Sequence, residues 1–351
     1  MNKVINHVPQ ILFEDLKSAE NEKYWDKVEK SHILITGGTG FIAYYLIMTL
    51  LCMNDVKNCA NTITILVRNE EKARQKFGSL LDRPDFRVLK QDVCLPVVDS
   101  VRYDYIIHAA SSADAKHFES EPIGVFNANV LGTQNMLALA KEHSCKSMVY
   151  ISSFTVYGAA NDVAKISEDY CGVEPWNNIR SCYSYGKRSS EFLCFAAHRT
   201  EDVPVRIVRP GFVYGASAPD DPRVYAEIIR CLAKHQEIVL QSAGHLYRSM
   251  IYVTDLVRGI LNVLFKGIAG EAYNLAGEHI SIRQFAQAAA DNGCLTMKFL
   301  HPEDEAVLPP QMICGEMDIT KAAIECDWSP TIPAVKGIGM AAEVFKAFYG
   351  V

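Results

Sequence analysis

Residues 32–43 read HILITGGTGFIA, an apolar β-branched run that turns on glycines and continues into an apolar helix. Strand, glycine turn and helix in this order predict a dinucleotide-binding α/β fold with a doubly wound parallel sheet. Gly37 permits the tight turn, and Gly40 lets the backbone approach a pyrophosphate, whose charge the helix N-terminus favours. The cofactor contacts expected from this segment are Gly37, Thr39, Gly40, Phe41 and Ile42.

The second predicted strand, residues 62–67, ends where an acidic residue would bind the adenosine ribose. Arg68 follows it instead. Because a guanidinium donates two parallel hydrogen bonds to a phosphate, Arg68 favours NADP over NAD, although it could also be a solvated arginine at a strand end. Asp92 and Val93, after the predicted strand at 86–90, are expected near the adenine.

Small residues follow the next predicted strand, which begins at residue 105. Ala109, Ala110 and Ser111 leave room for a cofactor to pass close to the backbone. Asn129 lies in the long helical pattern that comes next, and we expect it near the cofactor as well.

Three residues can carry proton and hydride chemistry. Ser153 follows the predicted strand 147–151, whose end should face the ligand crevice. Tyr183 and Lys187 are four residues apart and therefore neighbours on one helix face. A lysine ammonium should bring the pKa of the phenol down from about 10, so that Tyr183 exchanges a proton with a substrate oxygen held by Ser153. Tyr185 is the competing candidate, but no lysine stands four residues after it.

Together these motifs resemble the extended short-chain dehydrogenases/reductases that act as nucleotide-sugar epimerases and dehydratases. The resemblance covers residues 31–345 and includes the segments 209–215 and 248–255. It implies a Rossmann cofactor domain, a smaller C-terminal α/β domain for a nucleoside-diphosphate sugar, and chemistry at the sugar C4 through a 4-keto species. It also implies a homodimer formed by the helices that carry Asn129 and Tyr183.

The expected domain limits follow from this resemblance and from the pattern of segments. A helical extension occupies residues 1–30, where apolar and aromatic residues alternate with charges. The cofactor domain is expected at 31–205, with 245–275 returning to it. The substrate-binding lobe is expected at 206–244 and 276–351.

In the family that the chain resembles, the two residues that follow the serine distinguish one reaction from another. The resemblance implies an acid pair there in sugar 4,6-dehydratases and a glutamate in UDP-glucuronate decarboxylases, whereas this chain has Phe154 and Thr155. Elimination of water needs an acid and a base near C5 and C6, and phenylalanine can be neither. The segment 153–158 instead resembles 4-epimerases, while the segment 180–188 resembles the decarboxylases.

The resemblance also suggests substrate contacts. Arg248 is the first candidate for the substrate diphosphate and Arg223 the second, because a guanidinium pairs well with phosphate oxygens. Ser111 and Thr155 are expected to contact the sugar. Phe212 stands where many relatives have an asparagine that contacts the substrate phosphates.

Composition excludes several classes of partner. The chain has 351 residues, is 49% hydrophobic and carries a formal net charge of -6, which argues against nucleic acid or an anionic membrane as the main partner. Its 11 cysteines lack metal-like spacing, so we expect reduced thiols, no metal site and a cytoplasmic location.

The sequence therefore predicts an NAD(P)-dependent nucleotide-sugar C4 epimerase or 4-ketoreductase. A 4,6-dehydratase or a UDP-glucuronate decarboxylase-like enzyme is the alternative. A cofactor-binding module without turnover is a more distant one, which the Ser153, Tyr183 and Lys187 set disfavours.

Overall fold

The computed structural model describes residues 3–111, 115–160, 163–301 and 315–351. The strands within these ranges are β1 His32–Thr36, β2 Thr62–Val67, β3 Phe86–Lys90, β4 Tyr105–His108, β5 Ser147–Ile151, β6 Lys165–Ile166, β7 Val205–Pro210, β8 Phe212–Tyr214, β9 Ile238–Ser242, β10 Tyr247–Tyr252, β11 Ala272–Leu275, β12 His279–Ser281, β13 Met297–His301 and β14 Glu316–Met317. The α-helices are α1 Gln10–Lys17, α2 Phe41–Lys57, α3 Glu70–Phe77, α4 Ala115–Ser120, α5 Pro122–Glu142, α6 Cys182–Glu201, α7 Val224–Ala233, α8 Val253–Lys266, α9 Ile282–Gly293, α10 Thr320–Cys326 and α11 Ala334–Tyr349.

A seven-stranded parallel sheet forms the centre of the fold, in the order β11-β7-β5-β4-β1-β2-β3. Its strands are buried on both faces: Ile33 and Ile35 of β1 pack into one core cluster, and Leu34 packs into another. The strand order reverses between β1 and β4, which makes the sheet doubly wound, as predicted. In such a sheet the ligand crevice lies beyond the carboxyl ends of the strands at this switch point.

The ends of β1 and β4 are tied together at the switch point. The Thr36 hydroxyl lies 2.7 Å from Nδ1 of His108 and accepts the backbone N–H groups of Ala109 and Ala110 at 3.1 and 3.0 Å. Because these bonds hold the two strand ends in register, they also fix the small residues that follow β4.

A smaller α/β part is formed by elements that follow β7 in the sequence. It contains the three-stranded sheet β12-β10-β8, the β13-β9 pair, and the mutually packed helices α7, α9 and α11. The expected limit at residue 205 falls on the first residue of β7, a strand of the central sheet. Within 245–275, β11 joins the central sheet, whereas β10 pairs with β8 and β12.

The N-terminal segment packs against the cofactor half. Leu12 and Leu16 of α1 are buried, and so is Trp25, whose ring nitrogen donates to the carbonyl of Ala19 at 2.7 Å. The backbone N–H of Val4 donates to a carboxylate oxygen of Asp55 in α2 at 2.7 Å. The apolar residues of this segment thus belong to the main core.

Candidate active site

A cavity of about 350 Å³ opens where β1, β4, β5 and β7 end. Eleven of the residues predicted from the sequence line it: Gly37, Gly40, Phe41, Ile42, Ala109, Ser111, Ser153, Thr155, Tyr183, Lys187 and Arg223. The other predicted residues lie outside its lining: Thr39, Arg68, Asp92, Val93, Ala110, Asn129 and Arg248.

The glycine turn has the geometry that a pyrophosphate requires. Gly37 has a φ of +67°, and a Cβ there would lie 2.8 Å from Cα of Ala110. Gly40 stands at the N-cap of α2, and its lack of a side chain leaves the first amides of the helix open to an anion. The residues present therefore fit a bound dinucleotide, whose nicotinamide would supply or accept hydride.

Helix α6 brings Tyr183 and Lys187 to the cavity by packing closely on α5. Gly186 makes this approach possible, because a Cβ there would lie 3.2 Å from Cβ of Asn129. Asn129 is fully buried and accepts a hydrogen bond from the Ser111 hydroxyl at 2.9 Å. Asn129 therefore acts on the site through Ser111 and through the spacing of the two helices.

Ser153 lies at the start of a short 3-10 helix after β5. Its hydroxyl oxygen accepts the backbone N–H of Thr155 at 3.2 Å and the Thr155 hydroxyl at 3.1 Å. Thr155 therefore orients Ser153. Lys187 is held by a 2.7 Å hydrogen bond from its ammonium to the carbonyl of Ile151.

The expected lowering of the tyrosine pKa is wrong for this structure. Burial raises the pKa of Tyr183 to about 12, against the opposing effect of hydrogen bonds with Ser153 and Ser111. Burial also lowers the pKa of Lys187 to about 7, so the lysine side chain loses much of its charge near neutral pH. Desolvation is the largest effect on both groups, and Tyr183 is a phenol at neutral pH.

Two residues near the site were missed by the sequence analysis. The ring of Phe118 in α4 stacks on the ring of Tyr183 at 5.0 Å and lines the cavity. Lys76, near the end of α3, donates to the carbonyls of Thr39 and Gly40 at 2.9 and 3.4 Å. Neither lies in a motif, because each reaches the site through packing of its helix.

The residues expected to lie near the adenosine end of the cofactor differ in their surroundings. Arg68 is exposed directly after β2. Asp92 accepts the backbone N–H of Cys94 at 2.9 Å, and the carbonyl of Val93 accepts from the Asn135 side chain at 2.9 Å. Val93 packs beneath Gly132, where a Cβ would lie 3.1 Å from it.

The two arginines predicted to bind the substrate differ in position. Arg223 lines the cavity, pairs with Asp221 at 2.5 Å, and lies over the rings of Phe41 and Tyr225. Arg248 is 5% exposed and stacks on the ring of Phe212 at 4.9 Å. Phe212, and not Arg248, lines the cavity.

A second concavity of about 620 Å³ lies near the amino ends of β1 and β4 and contains none of the predicted site residues. Across residues 3–111, 115–160, 163–301 and 315–351, no cluster of three or more metal-ligating side chains occurs. None of the helices in those ranges is long and apolar enough to cross a membrane.

The fold and the site together define a class. A doubly wound sheet, a glycine turn that fits a pyrophosphate, and a serine, a tyrosine and a lysine that line one cavity at the strand ends are the parts of an extended short-chain dehydrogenase/reductase enzyme. Residues 33–276 match the model of the NAD dependent epimerase/dehydratase family. The chain belongs to this family.

Individual relatives agree with this assignment. The chain is 30% identical to UDP-glucuronic acid decarboxylase 1 of Xenopus tropicalis over 99% of its own length and 81% of the relative. It is 29% identical to UDP-glucuronic acid decarboxylase 5 of Arabidopsis thaliana, over 91% and 90%. Its fold is similar to that of UDP-glucuronic acid 4-epimerase from Bacillus cereus, with a TM-score of 0.74 and 24% identity over 91% of this chain and 100% of that one. It is also similar to dTDP-glucose 4,6-dehydratase from Bacillus anthracis, with a TM-score of 0.74 and 21% identity over 90% and 97%.

Proposed function

We propose that the chain reduces the 4-ketone of a nucleoside-diphosphate sugar by hydride transfer. The observation that carries this proposal is the pairing of Tyr183 with Ser153 in a cavity where Phe154 replaces an acid. A phenol whose pKa is about 12 is in its proton-donating form at neutral pH, which suits reduction of a carbonyl. Without an acid beside Ser153, elimination and decarboxylation are disfavoured.

The chain's own residues have distinct tasks in this reaction. Ser153 donates a hydrogen bond to the C4 oxygen, with Thr155 fixing its orientation. Tyr183 gives its proton to that oxygen as hydride reaches C4. Lys187, anchored on the carbonyl of Ile151, returns a proton to the tyrosine afterwards.

Isotope transfer tests the reaction directly. With NADPH carrying deuterium at nicotinamide C4 and a nucleoside-diphosphate 4-keto sugar, we expect one deuterium at the sugar C4 for each NADPH oxidised, measured by NMR. Release of carbon dioxide from UDP-glucuronate, or loss of water from a nucleoside-diphosphate hexose, would instead identify a decarboxylase or a dehydratase. Absence of any transfer would support a binding module without turnover.

A C4 epimerase is the second candidate. The segment 153–158 favours it, since serine followed by two residues without acids is the arrangement that resembles 4-epimerases. An epimerase regenerates its cofactor in each turnover, so nucleotide sugar would be interconverted with no net oxidation of NADPH. The deuterium experiment separates the two candidates by this stoichiometry.

We further propose that NADP is preferred over NAD. Arg68 follows β2, and the Lys76 ammonium lies against the glycine turn, 5.1 Å from the centre of the Tyr44 ring. Lys76 is exposed by surface area, yet desolvation of its ammonium lowers the pKa of Lys76 to about 8. A phosphate on the adenosine ribose would place a negative charge beside these two cations.

Substitution at Arg68 should reverse this preference. We expect Arg68→Asp to weaken NADP binding about tenfold to a hundredfold relative to NAD, because a charge-assisted hydrogen bond is lost and repulsion is added. Arg74→Asp is the control, since Arg74 is an exposed cation of α3 paired with Glu70. Titration calorimetry with both dinucleotides measures the ratio, and equal changes in the two variants would remove Arg68 as the selector.

A homodimer is the proposed assembly. Exposed apolar side chains lie on the two helices that resemblance assigns to the interface: Leu131 on α5, and Phe192 and Phe195 on α6. Phe192 and Phe195 are 68% and 50% exposed and three residues apart, hence on one helix face. Light scattering should give twice the chain mass of 39.1 kDa. A single-chain mass would exclude the dimer.

A further inference from the structure

Ser153 is followed by a single turn of 3-10 helix, and the position of its hydroxyl depends on that turn. The turn spans Phe154–Tyr157. The Thr155 N–H donates to the Ser153 hydroxyl at 3.2 Å, and the Val156 N–H donates to the Ser153 carbonyl at 3.2 Å. A helical turn this short is held by few hydrogen bonds of its own. A contact at its far end therefore has a direct influence on Ser153.

The Arg188 side chain makes such a contact. Its Nε donates to the carbonyl of Val156 at 2.7 Å, and a terminal nitrogen donates to the carbonyl of Gly172 at 2.8 Å. The last carbonyls of a helix lack partners within the helix, and a guanidinium suits them because it presents several donors in one plane. Arg188 thus joins the end of the turn to the chain at Gly172.

The backbone around the guanidinium leaves it little room to move. Gly158 has a φ of +63°, and a Cβ there would lie 2.8 Å from a terminal nitrogen of Arg188 and 2.5 Å from the carbonyl of Val173. The Gly172 N–H also donates to the carbonyl of Tyr157 at 3.0 Å, which links the same two segments of chain. The guanidinium is therefore seated between two backbone segments that are already joined.

Helix α6, which carries Tyr183, also holds the chain on the other side of Ser153. The Lys187 ammonium donates to the carbonyl of Ile151 at 2.7 Å, and Arg188 is the next residue of the helix. One helix therefore holds the chain two residues before the serine and three residues after it. The Tyr183 hydroxyl, which forms a hydrogen bond with Ser153, comes from the same helix.

Resting on the function proposed above, we propose that Arg188 is a positioning residue for the reaction. It holds the turn after Ser153 so that the Ser153 and Tyr183 hydroxyls meet the same substrate oxygen. Within the described part of the chain, Arg188 lies outside the lining of the cavity, so it acts through Ser153 and not by touching the substrate. Loss of the guanidinium should weaken the contribution of Ser153 to the reaction and leave dinucleotide affinity unchanged.

A double-mutant cycle tests whether Arg188 acts through the serine. Single-turnover deuterium transfer from labelled NADPH to a nucleoside-diphosphate 4-keto sugar is measured for the unmodified chain, Arg188→Met, Ser153→Ala and the variant with both changes. We expect Arg188→Met alone to lower the rate about tenfold to a hundredfold, because small misplacements of a reacting group are costly. In the Ser153→Ala background it should cost about twofold or less, since no hydroxyl is left to position. Equal losses in the two backgrounds overturn the inference.

Hydrogen exchange follows the turn without any substrate. By mass spectrometry of peptides that cover residues 153–158, Arg188→Met should speed amide exchange about tenfold or more, while exchange in the second half of α6 stays unchanged. Arg199→Met is the control, because Arg199 is an exposed arginine near the end of the same helix, and its rate and exchange should match those of the unmodified chain. Faster exchange throughout α6 would indicate a general structural role and overturn the inference.

The two measurements separate the inference from the proposed function. If the unmodified chain transfers no deuterium, the proposed function fails, and hydrogen exchange alone decides whether Arg188 holds the turn: unchanged exchange at residues 153–158 overturns the inference. If Arg188→Met does not fold, Arg188→Lys replaces it in both measurements. An ammonium keeps the charge but lacks the planar set of donors, so the loss of rate should be smaller and should still vanish in the Ser153→Ala background.

Discussion

Replacing Tyr183 with phenylalanine should lower kcat by about a thousandfold, which is within the range for loss of a general acid. The Tyr183 phenol forms a hydrogen bond with Ser153, and its ring stacks on Phe118 with the Lys187 ammonium over it. Because phenylalanine keeps the ring, the stacking with Phe118 and the packing of α6 should survive. Single-turnover deuterium transfer from labelled NADPH measures the effect, with NADPH affinity unchanged.

Tyr185 provides the matched control for this experiment. It lies on the same helix, but its hydroxyl donates to the carbonyl of Glu174 at 3.0 Å, and it does not line the cavity. Tyr185→Phe should therefore retain kcat within about threefold, since it loses one hydrogen bond of modest worth. If Tyr183→Phe kept most of the activity and Tyr185→Phe lost it, the assignment of the proton donor would be wrong.

Local sequence signals accounted for the central strands and for the reacting residues. Strands β1, β2 and β3 have the predicted bounds, because each segment is short and is followed by turn or polar residues. Ser153, Tyr183 and Lys187 line one cavity, since strand ends in a parallel sheet converge there. Helix ends were less predictable: the apolar run after the glycine turn ends at Met53, whereas α2 continues to Lys57.

The features of the site that the sequence could not predict depend on desolvation and on packing between elements that are distant in the chain. The pKa of Tyr183 is governed by burial, which is not visible from its spacing to Lys187. Phe212 meets Phe154 only because β8 pairs with β10 at the cavity. Lys76 reaches the glycine turn only because α3 packs beside α2, so no motif in its own segment marks it.

The buried carboxylate of Glu191 should contribute more to stability than any surface ion pair. It accepts the Ser152 hydroxyl at 2.5 Å and two hydrogen bonds from the Arg209 guanidinium, at 3.0 and 2.7 Å. These contacts join the end of β5, helix α6 and strand β7. Both side chains of the ion pair are largely buried, with 13% and 11% exposure for Arg209 and Glu191.

Glu191→Ala should lower the free energy of unfolding by about 3–5 kcal/mol, because it leaves a buried guanidinium without its counter-charge. Urea unfolding followed by circular dichroism measures the change. Glu201→Ala on the same helix is the control: Glu201 pairs with Lys141, but both side chains are about half exposed, at 47% and 58%. That pair should contribute at most about 1 kcal/mol.

The double variant Glu191→Leu with Arg209→Met distinguishes the loss of attraction from the burial of an unpaired charge. When both charges are removed and apolar volume is kept, the desolvation cost disappears together with the attraction, so the double variant should be more stable than Glu191→Ala. The double variant should still be less stable than the unmodified chain, since Arg209 also donates to the Tyr157 hydroxyl at 3.0 Å and to the carbonyl of Glu168 at 2.6 Å. A double variant as unstable as the sum of the two single changes would mean that Glu191 and Arg209 act independently, and that the ion pair does not hold α6 against β7.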